Sequence, residues 1–308
     1  MTFLYKADPL RGALWSQLFA QKAPRQAFRI WPDIGAPGEV RFLAAWEPPQ
    51  NLEQLFPNLE LLFSVGAGVD QFDFSALPPG LPVLRMIEPG ILAGMVEYVS
   101  FAVLAMHRDM PGYLRQQRRA QWRPMPVVAA PRRRVGVLGL GTLGQAVLAQ
   151  LRGFGFDCAG WSRSRYAIEN VQCFAGAPEL GAFLARTDIL VCLLPLTAAT
   201  RGMLSSALFD ALPFGAGLVQ VGRGPQLVAQ DLLAALARGQ IGDAVLDVCE
   251  PEPLPPAHPF WQHPRIWLTP HIASMTQPET AVEVVLENLR RYQAGEPLIG
   301  LVDRERGY

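Results

Sequence analysis

The feature that most constrains this chain is a glycine pattern set between two apolar runs. Arg134-Val135-Gly136-Val137-Leu138 reads as a buried strand and runs directly into Gly139-Leu140-Gly141-Thr142-Leu143-Gly144. Helical spacing follows at Leu143, Val147, Leu148 and Leu151. A second apolar run, Cys158 to Trp161, then closes on Ser162-Arg163-Ser164-Arg165. Strand, Gly-x-Gly-x-x-Gly turn, helix and strand together make the phosphate-binding half of a dinucleotide fold. In that reading Gly139 permits the tight turn, Gly141 lets the backbone approach a pyrophosphate, and Gly144 lets helix and strand pack closely. Thr142 and Leu143 open the helix, whose unpaired N–H groups and positive dipole end suit phosphates. The three glycines alone would be weak evidence; the flanking elements give them their meaning.

At 308 residues the chain has room for one large or two medium domains. Its 27 basic and 27 acidic residues cancel, so no global field points to nucleic acid or to an anionic membrane, and neither is expected as a partner. No uninterrupted apolar run reaches bilayer length, and Met1 to Leu10 lacks the basic-then-apolar layout of a signal peptide. Cys158, Cys173, Cys192 and Cys249 form no C-x-x-C pair and sit mostly in apolar runs. They read as buried free thiols of a cytoplasmic protein, with no metal expected.

Residues 1–90 alternate short apolar runs (Thr2–Tyr5, Ala27–Ile30, Val40–Trp46, Leu61–Ser64, Val83–Arg85) with helical patterns near Leu10–Ala20 and Asn51–Phe56. This predicts a small parallel sheet of about five strands. Two loops stand out. Trp46 follows a strand, either as a core residue or as the wall of a substrate cleft. Ser64-Val65-Gly66-Ala67-Gly68-Val69-Asp70 leaves another strand, either as a plain turn or as a concavity of backbone N–H groups suited to a carboxylate. Ile91 to His107 reads as a long apolar helix carrying Glu97. Met110 to Pro126 is basic, with Tyr113 and Trp122, and reads as a solvated helix face or a subunit contact rather than a nucleic-acid surface.

Beyond the fingerprint, four apolar runs end in chemistry-bearing loops. Ile189–Leu194 ends at Pro195 and Thr197, Gly217–Val221 at Gly222-Arg223-Gly224, Ala244–Val248 at Cys249-Glu250-Pro251-Glu252, and Ile266–Thr269 at Pro270-His271. In an open parallel sheet ligands bind at the carboxyl ends of strands. Arg223, Glu252 and His271 put a cation, a carboxylate and an imidazole on three such ends. That is the set needed to reduce a 2-oxo acid: a cation for the carboxylate and carbonyl, a proton donor, and a carboxylate that orients the imidazole.

The motifs Ser64–Asp70, Val137–Gly144, Trp161–Ser164, Leu194–Thr197, Gly222–Gly224, Leu246–Val248, Glu252–Pro255, Phe260–Pro264, Thr269–Ala273 and the tail Val302–Tyr308 span nearly the whole chain. Through them it resembles the D-isomer-specific 2-hydroxyacid dehydrogenases, and among these the bacterial glyoxylate/hydroxypyruvate reductases. The resemblance implies two Rossmann-like or flavodoxin-like parallel-sheet α/β domains: residues 93–275 for the dinucleotide, inserted into a substrate domain of 1–92 and 276–308. It also implies catalysis by Arg223, Glu252 and His271, with a small 2-oxo acid held by the backbone of Val65, Gly66 and Ala67 beside Trp46. The nicotinamide end would be bounded by Leu194 and Pro195, Val221 and Gly222, and Asp247, with Thr200, Arg223, His271, Ala273 and Ser274 nearby. The usual assembly is a homodimer. Two departures, Gly222 where the family commonly has alanine and Cys249 where it has an aromatic, are expected to bear on pocket size.

The second strand of the fingerprint ends without the acidic residue that bonds the adenine ribose in NAD-selective folds. Ser162, Arg163, Ser164 and Arg165 offer a cationic cradle instead, or else a solvated basic turn. The expected cofactor is NADP(H) in preference to NAD(H), and the expected reaction is reduction of glyoxylate or hydroxypyruvate. Two rivals remain on the sequence alone: a dinucleotide-sensing regulator that keeps this fold, and a methyltransferase, which the arginine pair disfavours.

Overall fold

The computed structural model describes residues 1–304; Glu305 to Tyr308, the end of the tail motif, lie outside the described residues. The chain divides into two compact units, residues 1–91 with 275–308, and residues 92–274.

The first unit is built on β1 (Thr2–Lys6), β2 (Ala27–Ile30), β3 (Val40–Ala45), β4 (Leu61–Ser64) and β5 (Val83–Leu84), interleaved with helices α1 (Pro9–Lys22) and α2 (Leu52–Leu55). The strands pair in parallel in the order β2-β1-β3-β4-β5. Central strands β1, β3 and β4 are buried almost throughout, which is why they read as near-continuous apolar runs. Asp8 caps α1, accepting the Arg11 N–H at 2.9 Å, and Pro9 opens the helix where its missing N–H costs nothing. Phe3, Trp15, Phe19 and Phe28 then pack as an aromatic cluster between α1 and the sheet.

The second unit contains most of α3 (Pro89–His107), then α4 (Met110–Arg118) and a seven-stranded parallel sheet. Its elements are β6 (Arg134–Leu138), α5 (Thr142–Gly153), β7 (Asp157–Ser162), β8 (Gln172–Ala175), α6 (Gly176–Ala185), β9 (Ile189–Cys192), α7 (Ser206–Asp210), β10 (Ala216–Gln220), α8 (Ala229–Ala237), β11 (Ile241–Leu246) and β12 (Ile266–Leu268). The strand order is β12-β11-β10-β9-β6-β7-β8, a doubly wound sheet that reverses beside β6. Val135, Val137 and Val191 pack one face against Val147, Leu148 and Leu151 of α5 and Val99 and Val103 of α3. Leu138, Leu190 and Leu218 pack the other face against Phe183, Leu232 and Leu236. Burying each of these side chains contributes about 2 kcal/mol.

β8 was not expected. It is an edge strand in which only Phe174 is fully buried, so its pattern carries little signal. α3 is long and apolar enough to match a bilayer by length and composition. That composition serves the core, because Val99, Ala102, Val103 and Met106 are buried in it.

α9 (Pro278–Ala294) returns to the first unit and packs on α1, where Lys22 pairs with Glu283 at 2.7 Å. Buried Glu88 fastens this return, accepting the N–H of Ile91 (2.8 Å) and of Gln277 (3.1 Å) and the Thr280 hydroxyl (2.5 Å). One carboxylate thereby serves the starts of two helices.

Candidate active site

β10, β11 and β12 lie side by side and parallel, so the loops that follow them leave the same edge of the sheet. Arg223 is on the first loop, Glu252 on the second and His271 on the third. His271 Nδ1 stands 2.8 Å from Glu252 Oε2, and the two side chains are 33% and 39% exposed. The other carboxylate oxygen of Glu252 accepts the Cys249 N–H at 3.0 Å. Burial pushes the Glu252 carboxyl up. Its hydrogen bonds from His271 and the Cys249 N–H, with the charges of His271 and Arg223, outweigh that and hold it below the ordinary carboxylate value. Nδ1 being committed, Nε2 is the imidazole nitrogen left for chemistry.

His271 sits in the left-handed region, φ +56°, a conformation uncommon for a residue with a side chain. Asp247 holds it there. The Asp247 carbonyl accepts the His271 N–H at 2.8 Å. One carboxylate oxygen accepts the Thr269 hydroxyl (2.7 Å) and the Ile272 N–H (2.8 Å), and the other accepts the Ala273 N–H (2.8 Å). Thr269 is itself bonded to Tyr98 on α3 at 2.5 Å, and burial pushes the Tyr98 hydroxyl up to about 12. Asp247, placed by the resemblance beside the nicotinamide, is 2% exposed. Its visible work is to wrap residues 269–273 around one buried charge.

Arg223 Nη1 donates to the Gly222 carbonyl at 2.8 Å. The backbones of the Arg223 and Glu252 loops touch: a Cβ at Gly224 would lie 1.8 Å from the Cys249 carbonyl oxygen. The space left by the missing side chain of Gly222 is filled by the Gln226 amide; a Cβ there would meet Gln226 Oε1 at 2.3 Å. The Cys249 thiol is half-buried, and burial with the Glu252 and Asp247 charges pushes it up to about 11, so it stays neutral at physiological pH.

The fingerprint takes the conformation its spacing predicts. Gly139 has φ +106°, and a Cβ at Gly144 would lie 1.8 Å from the Gly139 carbonyl oxygen. Around Gly141 there is open space, with no atom within 4 Å of an added Cβ. α5 begins at Thr142 with no side-chain cap. Its first N–H groups, those of Thr142, Leu143 and Gly144, find no acceptor among the described residues. These features fit a dinucleotide pyrophosphate. In the loop after β9, Thr200 Oγ1 donates to the Pro195 carbonyl at 2.7 Å and accepts the Thr197 N–H at 2.8 Å. Val221 is buried where β10 ends. α3 passes the backbone of Ala273 and Ser274 at Gly94, where a Cβ would lie 3.6 Å from each.

At the end of β7 the Ser162 hydroxyl donates to the Ser164 carbonyl at 2.5 Å. Arg165 is paired with Glu179, whose carboxyl is held low by the Ala175 N–H and by Arg165. Arg165 therefore reaches a ligand only by giving up an ion pair.

In the first unit, Trp46 lies over the 65–67 loop: a Cβ at Gly66 would meet its ring at 3.2 Å. The Val65 N–H donates to the Ala45 carbonyl and the Gly66 N–H to Ser64 Oγ, both at 3.2 Å, while the Ala67 and Gly68 N–H groups have no acceptor among the described residues. An open groove of about 520 Å³ runs from Val65 and Trp46 past Glu47 to Lys6 and Trp31.

Residues 100–273 match the family model for the NAD binding domain of D-isomer specific 2-hydroxyacid dehydrogenases. The chain is 38% identical over 300 residues, 96% of each chain, to a glyoxylate/hydroxypyruvate reductase A of Yersinia enterocolitica. It superposes with TM-score 0.95 and 40% identity on a D-isomer specific 2-hydroxyacid dehydrogenase of Xanthobacter autotrophicus solved with NADPH and MES, covering 100% of this chain and 99% of that one. It is also similar to an NADPH-dependent glyoxylate/hydroxypyruvate reductase of Sinorhizobium meliloti solved with NADP and sulfate, with TM-score 0.91, 32% identity, and coverage of 100% and 99%.

Proposed function

The chain belongs to the D-isomer-specific 2-hydroxyacid dehydrogenases, and we propose that it is an NADPH-dependent reductase of small 2-oxo acids, converting glyoxylate to glycolate and hydroxypyruvate to D-glycerate. The observation that carries this reading is the His271–Glu252 pair at 2.8 Å beside Arg223, in the unit that bears the dinucleotide fingerprint.

When bound, the dinucleotide would supply the hydride for the 2-carbon. Residues 139–144 would hold its pyrophosphate, and the loops at Leu194, Pro195, Thr200, Val221 and Gly222 would border its nicotinamide. Arg223 takes the substrate carboxylate and polarises the carbonyl with its planar fork. His271 gives the carbonyl oxygen a proton from Nε2. Glu252 stabilises the positive imidazole and keeps Nδ1 occupied. In the unit of residues 1–91 and 275–308, Trp46 and the backbone of Val65, Gly66 and Ala67 have the chemistry to take a carboxylate. A dinucleotide-sensing regulator would bind the same cofactor without turnover.

The cofactor preference rests on Ser162-Arg163-Ser164-Arg165, where an acidic residue would repel a 2′-phosphate. kcat/KM is expected to be about tenfold or more higher with NADPH than with NADH, mainly through KM, and the gap is expected to narrow in high salt. The double variant Ser162→Asp/Arg163→Ala should erode or invert it. Equal kcat/KM for both cofactors in the unmodified protein would show that this loop does not read the phosphate.

We also place the protein in the cytoplasm, in keeping with its four free cysteines, and propose a homodimer. Residues 119–129, between α4 and β6, include a Trp122 wholly open to solvent and Val127 at 75% exposure, an apolar display that a second copy would cover. Light scattering should give twice the monomer mass, and Trp122→Ser should shift the equilibrium towards monomer. A monomeric unmodified protein would contradict the assembly.

A further inference from the structure

We infer that Gln226 is a positioning residue for Arg223, and that the glycine at 222 exists to admit its amide. This rests on the assignment of Arg223 to the substrate. Gln226 is 1% exposed, on the short turn that follows Arg223, and nothing about a glutamine there signals a role in the sequence.

Each end of its amide is committed, and to different loops. Oε1 accepts the Arg223 N–H at 2.8 Å and the Gln220 side-chain amide at 3.3 Å. Nε2 donates to the Leu194 carbonyl at 2.9 Å and to the Pro195 carbonyl at 3.1 Å. The donors at one end and carbonyls at the other fix which way the amide points. A second buried glutamine, Gln220, completes the clamp. It donates to the Arg223 carbonyl at 2.9 Å and accepts the Gly222 N–H at 3.3 Å. The backbone on both sides of Arg223 is therefore held by side-chain amides, and the same amide ties it to the loop proposed to border the nicotinamide.

Such a clamp matters because a long flexible guanidinium is only as well aimed as the backbone that carries it. Buried amides also have no water to fall back on, so losing one end leaves donors and carbonyls unsatisfied. Gly222 enters through sterics. A Cβ would lie 2.3 Å from Gln226 Oε1 and 3.0 Å from the Leu194 carbonyl oxygen. A methyl at 222 would push the amide off the Arg223 N–H, so the two positions are coupled.

The test is a double-mutant cycle with Gln226→Ala and Gly222→Ala, alongside Arg223→Ala, each assayed well below its melting temperature. Gln226→Ala should lower kcat/KM for glyoxylate about tenfold or more, through both kcat and the KM of the oxo acid. It should also weaken NADPH binding a few-fold, read by fluorescence titration without turnover. Gly222→Ala alone should cost about as much, but clearly less in the Gln226→Ala background, where its methyl meets no amide and only the Leu194 carbonyl contact at 3.0 Å remains. A merely structural role would lower the melting temperature, leave the kinetics of the folded enzyme unchanged and show no such non-additivity in kcat/KM. Arg223→Ala crippled beside Gln226→Ala within twofold of wild type would overturn the inference alone, as would additive losses in the double variant. Arg223→Ala with normal kinetics would overturn the Arg223 assignment and the inference with it.

Discussion

Replacing His271 by alanine is expected to cut turnover by about a hundredfold or more while NADPH binds with near-normal affinity. The imidazole is held by Glu252 through Nδ1 at 2.8 Å, so its removal takes away the proton donor without touching the fingerprint or α5. Alanine at this position keeps the strained φ of +56° at a cost of about 1 kcal/mol, so the variant should still fold. Fluorescence titration of NADPH and steady-state rates with glyoxylate separate the two effects. A variant with turnover within threefold of wild type would remove His271 from the mechanism. The acid limit follows from Glu252, whose carboxyl lies below the ordinary value in the folded protein. A carboxylate lowered in this way contributes its pairing above its unfolded pKa and loses it as pH falls through the folded pKa. The Glu252–His271 pair should accordingly survive into weakly acid solution.

Asp247→Ala should damage stability and catalysis together. It would leave the Thr269 hydroxyl and the N–H groups of Ile272 and Ala273 without their acceptor in a site where Asp247 is 2% exposed. Hydrogen bonds to a charged group contribute about 1.5–3 kcal/mol each, so even partial compensation by water leaves a loss of about 3 kcal/mol or more. Because the same contacts hold residue 271 in its unusual conformation, turnover of the folded fraction should also fall at least about tenfold. Asp247→Asn, which keeps one acceptor oxygen, should fall between. Unchanged melting temperature and turnover in Asp247→Ala would mean that the 269–273 loop holds His271 without this charge.

What was legible in the sequence follows from where the signal sits. Both sheets are parallel and buried on both faces, so β6, β9, β10 and β11 appear as short apolar runs, and their carboxyl ends mark the loops that carry chemistry. Gly139 and Gly144 were readable because backbone geometry demands glycine there. β8 was not, since an edge strand with one buried side chain has no pattern to show. Also hidden were contacts made across the chain. Nothing local links Gln226 to Leu194, Arg165 to Glu179 or the carboxylate of Asp247 to Ala273. The sequence suggested a role for Gly222 from its difference with the family, yet the space left by its missing side chain is occupied rather than open. Polar residues buried to position others look like any core-adjacent glutamine or aspartate until the fold brings their partners to them.

The most direct test of the account is a set of initial rates for the purified protein with glyoxylate and hydroxypyruvate, each with NADPH and with NADH. The account predicts saturable oxidation of NADPH with both acids, kcat/KM about tenfold or more higher than with NADH, and a rate about a hundredfold or more lower in His271→Ala. Tight NADPH binding with no turnover of either acid would contradict it, and would make the chain a dinucleotide-binding member of its family rather than a reductase.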